Sequence, residues 1–167
     1  MEIAAAIGFI IVSLMLLCRH RRLSIPISVV YMLALLYLVI VSREPVPYLR
    51  YSINPLGAIR RGLGFRDEII SGLLHDDAKV ISWMILKGVI LNIMLFIPFG
   101  FLLPSLFPQL CWWQIILIGL VFSLFIELVQ FFKRLGYADV DDLINNTLGT
   151  AIGFLCYKLV LQDASSR

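Results

Sequence analysis

The side chains in this chain best suited to chemistry are carboxylates and amides gathered in residues 123–153. Ser123, Glu127, Gln130 and Arg134 recur at intervals of four, three and four. At 3.6 residues per turn they share a helix stripe roughly 60° wide. Beyond them come Asp139, Asp141 and Asp142, then Asn145 and Asn146, then Gly149 and Gly153. Asp142, Asn146, Gly149 and Gly153 form a second stripe, with Asn145 to one side. Such a set can accept a hydrogen-bonding ligand. Three close aspartates can also hold a divalent metal at a phosphate ester, or simply complement a helix N-terminus. Ser123 as a nucleophile would need Glu127, one turn away, as its base. No histidine, nucleophile elbow or glycine-rich phosphate loop accompanies the set, so binding is favoured over catalysis and no cofactor is expected.

These polar residues interrupt a very apolar chain. Of 167 residues 60% are hydrophobic and only 15% charged, more apolar surface than a soluble domain of this size could hide. The class is an all-α, polytopic transmembrane helical bundle. A net charge of +3, with most Lys and Arg beside apolar runs, excludes a nucleic-acid face. Cys18, Cys111 and Cys156 are scattered without metal or disulfide spacing and read as small packing residues. The sequon-like Asn145-Asn146-Thr147 falls inside an apolar run, where no glycan could be attached.

About five spans and one mixed surface loop position the polar set. The first run, about 3–18, ends in Arg19-His20-Arg21-Arg22, and the second, about 25–41, follows at once. Arginines close the first run rather than precede it, which marks a retained helix and not a cleaved signal. Residues 1–41 thus form a transmembrane hairpin. Residues 42–84 mix charges with prolines and glycines and form an extramembrane loop containing Asn54-Pro55-Leu56 and the pair Arg60-Arg61. Residues 85–161 hold three spans, about 85–103, 113–132 and 140–161. In the first of these Pro98 removes the hydrogen bond to the Met94 carbonyl, so a kink is expected and the freed carbonyl needs a partner.

Depth unites the polar groups. Asn92, Glu127 and Asn146 each lie about 8 to 11 Å below the same membrane surface, at roughly 1.5 Å per residue. An ionised carboxylate facing lipid at mid-membrane costs about 3 kcal/mol or more, so Glu127 faces the bundle interior, with Arg134 as the expected partner along its stripe. A purely structural reading stays open: Asn92, Glu127, Gln130 and Asn146 clamp the helices together while Asp139 and Asp142 cap the last one. Weighting the tight Arg19 to Arg22 cluster most, the N-terminus is expected outside, the C-terminus in the cytoplasm, and the polar cluster open to the exterior.

At these residues the chain resembles the VanZ-like family of bacterial membrane proteins, named for a component associated with resistance to the glycopeptide teicoplanin. The shared pattern is Asn92, Phe96, Pro98, Phe99, Gly100 and Leu102-Leu103-Pro104; then Ser123, Glu127 and Gln130; then Asp139, Asp142, Asn145, Gly149 and Gly153. Asn54-Pro55-Leu56 resembles, in contracted form, a signature that precedes these in many members. The resemblance covers about 54–157 and implies a protein of the bacterial cell envelope, with no reaction to carry over. The expected ligand is lipid-linked or amphiphilic, a polyprenyl-phosphate intermediate or a glycopeptide antibiotic. Arg60, Arg61 and Arg134 would meet an anionic head group, and Asn92, Glu127 and Asn146 its hydrogen-bonding part. Two alternatives stand beside this. One is a membrane enzyme with a divalent metal on Asp139, Asp141 and Asp142; the other is an assembly partner that uses the Gly149 and Gly153 stripe.

Overall fold

The computed structural model describes residues 21–45, 47, 50–52, 56–57, 60, 75–135 and 137–165. Its framework is helical. Helix α1 is Arg21–Leu36, extended by a π-helical turn over Tyr37–Val41; α2 is His75–Leu106, α3 is Trp112–Lys133 and α4 is Val140–Ser165. Two three-residue strands, β1 (Arg50–Ser52) and β2 (Tyr137–Asp139), pair in parallel, Tyr51 opposite Ala138. This small ribbon ties the segment after α1 to the start of α4.

Among the described residues, three helices are long and apolar enough to cross a membrane, over Ser24–Val41, Val80–Leu106 and Trp112–Lys133. In lipid the backbone must satisfy its own hydrogen bonds, which is why apolar stretches of this length become helices. The expected count of five spans is not reached among the described residues. The first run lies outside them. The last forms α4 as expected, but with Asn145, Asn146 and Lys158 in its length it is not one of that set of three. The boundary between loop and third span also shifts: α2 begins at His75, ten residues before the apolar run at Ile85, because nothing from Asp76 to Met84 breaks a helix.

Helix α4 lies in the groove between α2 and α3, and glycines set how deep it sits. A Cβ on Gly149 would meet the Ile93 carbonyl and come within 2.9 Å of Phe96 Cβ, and one on Gly153 would meet the Ile97 carbonyl and the Phe101 nitrogen at 2.9 Å. From the other side, Gly100 of α2 leaves no room for a Cβ against the Thr150 backbone, and Gly119 of α3 none against the Thr150 side chain. Backbones this close need residues without side chains, the usual solution for helices in lipid. Leu35, Val39, Phe96, Phe99 and Ile126 form the core where α1, α2 and α3 meet. There the Phe99 and Phe122 rings stack 5.0 Å apart, 5° from parallel.

The kink residue finds its partner across this core. Pro98 is buried inside α2, and the Tyr31 hydroxyl of α1 donates to the Leu95 carbonyl. Tyr31 therefore serves the ladder one residue beyond the Met94 carbonyl expected to need help.

Candidate functional site

The polar cluster is assembled from four segments around the first turn of α4. Asp139 ends β2, and its Oδ1 accepts the Asp141 amide at 3.0 Å, capping the helix start. Asp142 does not complete a capping box. Instead its Oδ1 accepts from Asn92 Nδ2 of α2 at 2.5 Å, half of the expected clamp. Asp141 is buried and its Oδ1 accepts the Leu56 amide from the long loop. Leu56 has φ 63°, a left-handed conformation uncommon for a branched side chain, so the loop is held in a strained shape where it meets the acid.

Helix α3 supplies the other wall. Asn146 Nδ2 donates to Ser123 Oγ at 2.9 Å with both residues buried, and Glu127 Oε2 accepts the Asp139 amide at 3.1 Å. The structure thus brings Asn92, Glu127 and Asn146 into one cluster with Ser123, Asp139 and Asp142. Asn145 joins them from the same turns of α4, four residues after Asp141 and three after Asp142. It is 1% exposed, and among the described residues neither its Nδ2 nor its Oδ1 has a hydrogen-bond partner. An amide left so costs about 1–3 kcal/mol.

Other expected placements change. Gln130 lies on the Glu127 stripe but turns to α1, where its Nε2 donates to the Val39 carbonyl at 2.8 Å within the π-helical turn. That carbonyl has no helical partner, since the helix stops at Val41, and Gln130 satisfies it. The second stripe also divides: Asn146 faces α3, whereas Asp142, Gly149 and Gly153 face α2. A stripe of this width, wedged into a groove, meets both walls.

Arg134 is not the partner of Glu127. Helix α3 ends at Lys133, and Arg134 caps it with φ 56° and ψ 37°, its amide directed to Gln130 and Phe131 carbonyls while Leu135 N closes on Gln130 O at 2.8 Å. This left-handed closure turns the Arg134 side chain out of the helical stripe into solvent. Among the described residues, the guanidinium whose charge reaches both Glu127 and Asp142 belongs to Arg43, just after the π-helical turn. Nothing in the sequence points to this role, because an arginine at the end of an apolar run reads as an interfacial anchor. Arg60 is exposed, in a helical turn closed by its amide on the Leu56 carbonyl at 2.9 Å. Arg61 and Asn54 lie outside the described residues.

Because glycine adopts the left-handed cap without a Cβ clash, Arg134→Gly is expected to raise stability by about 1 kcal/mol. Thermal unfolding in detergent measures it. A marked loss would mean that the arginine side chain holds a structural contact.

The aspartates do not act as one metal-binding set. Asp139, Asp141 and Asp142 each face a different hydrogen-bond donor, and among the described residues no three His, Cys, Asp or Glu side chains converge in a way that could hold a metal ion.

Over 73 residues the chain is 38% identical to Protein VanZ of Enterococcus faecium, an alignment covering 44% of this chain and 45% of that protein. The chain therefore spans less than half the length of this relative. No solved structure matches. The VanZ/LLP1 family model matches residues 28–161, taking in α1 as well as the three helices that carry the polar cluster, and on that extent the chain belongs to the VanZ/LLP1 family.

Proposed function

We propose that this membrane protein binds a lipid-linked or amphiphilic molecule of the bacterial envelope in the polar cluster at the head of α4, without catalysing a reaction on it. The observation that carries the reading is Asn145, buried beside the acids with its whole amide unpartnered. A clamp between helices would use that amide, since an unmet polar group in an apolar interior is costly. A binding site keeps it available and recovers the cost when a ligand arrives.

The ligand classes are a polyprenyl-phosphate intermediate and a glycopeptide antibiotic, with altered teicoplanin susceptibility as the consequence in cells. Family membership supports the envelope setting. Exposed Arg60, with exposed Arg134, offers a cation for an anionic group, and the Asn92, Glu127 and Asn146 region receives the hydrogen-bonding part. The outer leaflet is the site of encounter, with the N-terminus outside and the C-terminus in the cytoplasm. The alternative of a metal-dependent phosphoesterase has no support in the separate engagements of its three aspartates.

Native mass spectrometry of the detergent-solubilised protein tests the binding. A co-purifying amphiphile is expected, reduced at least tenfold in Asn92→Leu and Glu127→Leu variants that still insert. Equal retention by both variants would refute the site. Orientation is tested in a background with the native cysteines replaced by serine, using single cysteines at Ser52 and Ser166 and an impermeant thiol reagent on intact cells. Ser52→Cys is expected to label and Ser166→Cys to stay silent; the reverse pattern would overturn the external site.

A further inference from the structure

Resting on the binding function proposed above, we infer that the deep part of this site is selective for a protonated primary amine, the ammonium group of an amphiphile, and discriminates against phosphate there. Three observations lead to it. The first is the balance of charge: Glu127, Asp139, Asp141 and Asp142 are close enough for Glu127 to feel Asp142 and Asp139, and for Asp142 to feel Asp139 and Asp141, while among the described residues Arg43 is the cation that acts on this group. Carboxylates crowded into a low-dielectric interior are stabilised by a further positive charge and destabilised by a further negative one.

The second is the set of open acceptors. Glu127 uses Oε2 on the Asp139 amide and Asp142 uses Oδ1 on Asn92, and each leaves its other oxygen without a partner among the described residues. Asn145 adds a carbonyl oxygen, buried and unpartnered, on the helix turn that follows Asp142. An ammonium carries three N–H donors and no acceptor, matching a site of carboxylate and carbonyl oxygens; a phosphate would bring acceptors to acceptors. The third is scale. The carboxylates do not converge tightly enough to hold a metal ion among the described residues, and an ammonium does not require such convergence, because its three N–H donors spread outward.

The division of labour is then spatial. Exposed Arg60 receives any anionic portion of the ligand near the surface, and the acids below receive its amine. Either of two sources supplies this chemistry, the amine of a membrane phospholipid or that of an amphiphile arriving from outside.

The test uses the full chain in dodecyl maltoside, with dodecylamine and dodecyl phosphate as probes and binding read by native mass spectrometry. Dodecylamine is expected to bind at least tenfold more tightly than dodecyl phosphate at neutral pH, and Glu127→Gln to abolish that preference. Asp142→Asn serves as the second variant should Glu127→Gln fail to fold. Equal or tighter binding of the phosphate, or an amine preference unchanged in both variants, overturns the inference. If the phosphate binds and Asn145→Leu abolishes it, the amine selectivity fails while the binding function stands; if neither probe binds, both fail. Repeating the measurement in nanodiscs of phosphatidylethanolamine and of phosphatidylcholine separates the sources: competition from the first lipid alone identifies a membrane amine, and its absence, with dodecylamine still bound, identifies an external one.

Discussion

Gly153→Ala and Gly100→Ala are each expected to disrupt the seat of α4 on α2 and lower stability by about 3 kcal/mol or more, the upper range for overpacking a close-packed site. A Cβ on Gly153 runs into the Ile97 carbonyl, and one on Gly100 into the Thr150 backbone. These are backbone atoms, so no rotamer change makes room; the helices must separate. Separation is costly because the same crossing holds Asn92 against Asp142 and, through Thr150 against Gly119, the registry with α3. Gly88→Ala is the internal control. Nothing lies within 4 Å of the point its Cβ would occupy on the outer face of α2, and helix propensity predicts a change of about 1 kcal/mol in the stabilising direction. Thermal unfolding of the detergent-solubilised variants measures all three. Equal midpoints for Gly88→Ala and Gly153→Ala would show that the helices are not packed at this distance.

Asn145→Leu is expected to separate stability from function. Leucine has the branched shape of asparagine and no polar side-chain atoms, so the substitution removes an amide that is buried without a partner. The gain expected in the unliganded protein is about 1–3 kcal/mol, the cost of leaving such a group unmet. Ligand retention is expected to fall at least tenfold in the same variant. The opposite outcome, lower stability with ligand retention intact, would assign Asn145 to the scaffold and remove the main support for a pocket. Ser123→Ala offers the contrast. It deletes the oxygen that accepts from Asn146 and is expected to cost about 1–3 kcal/mol by leaving a buried amide donor unmet.

The apolar runs and the polar residues that interrupt them determined, before any coordinates, that this is a helical membrane protein with its polar groups gathered on a few helix stripes. Those conclusions depend on composition and periodicity, which are properties of single elements. What only the tertiary structure decided was the choice of partners. Periodicity assigns Gln130 and Glu127 to one stripe but is silent on the rotation of α3 against its neighbours, so it could not tell that one reaches α1 and the other the start of α4. It carries Arg134 along that stripe because it assumes the helix continues, whereas a left-handed cap ends it. It gives no hint that the loop amide of Leu56 reaches Asp141 across 85 positions of sequence, or that the charge of Arg43 acts on Glu127 and Asp142. Hydrogen bonds between elements depend on how those elements are tilted and how closely they approach. In this bundle the approach is set where Gly100, Gly149 and Gly153 let backbones touch, and the placement of α4 that follows leaves Asn145 buried with its amide unmet.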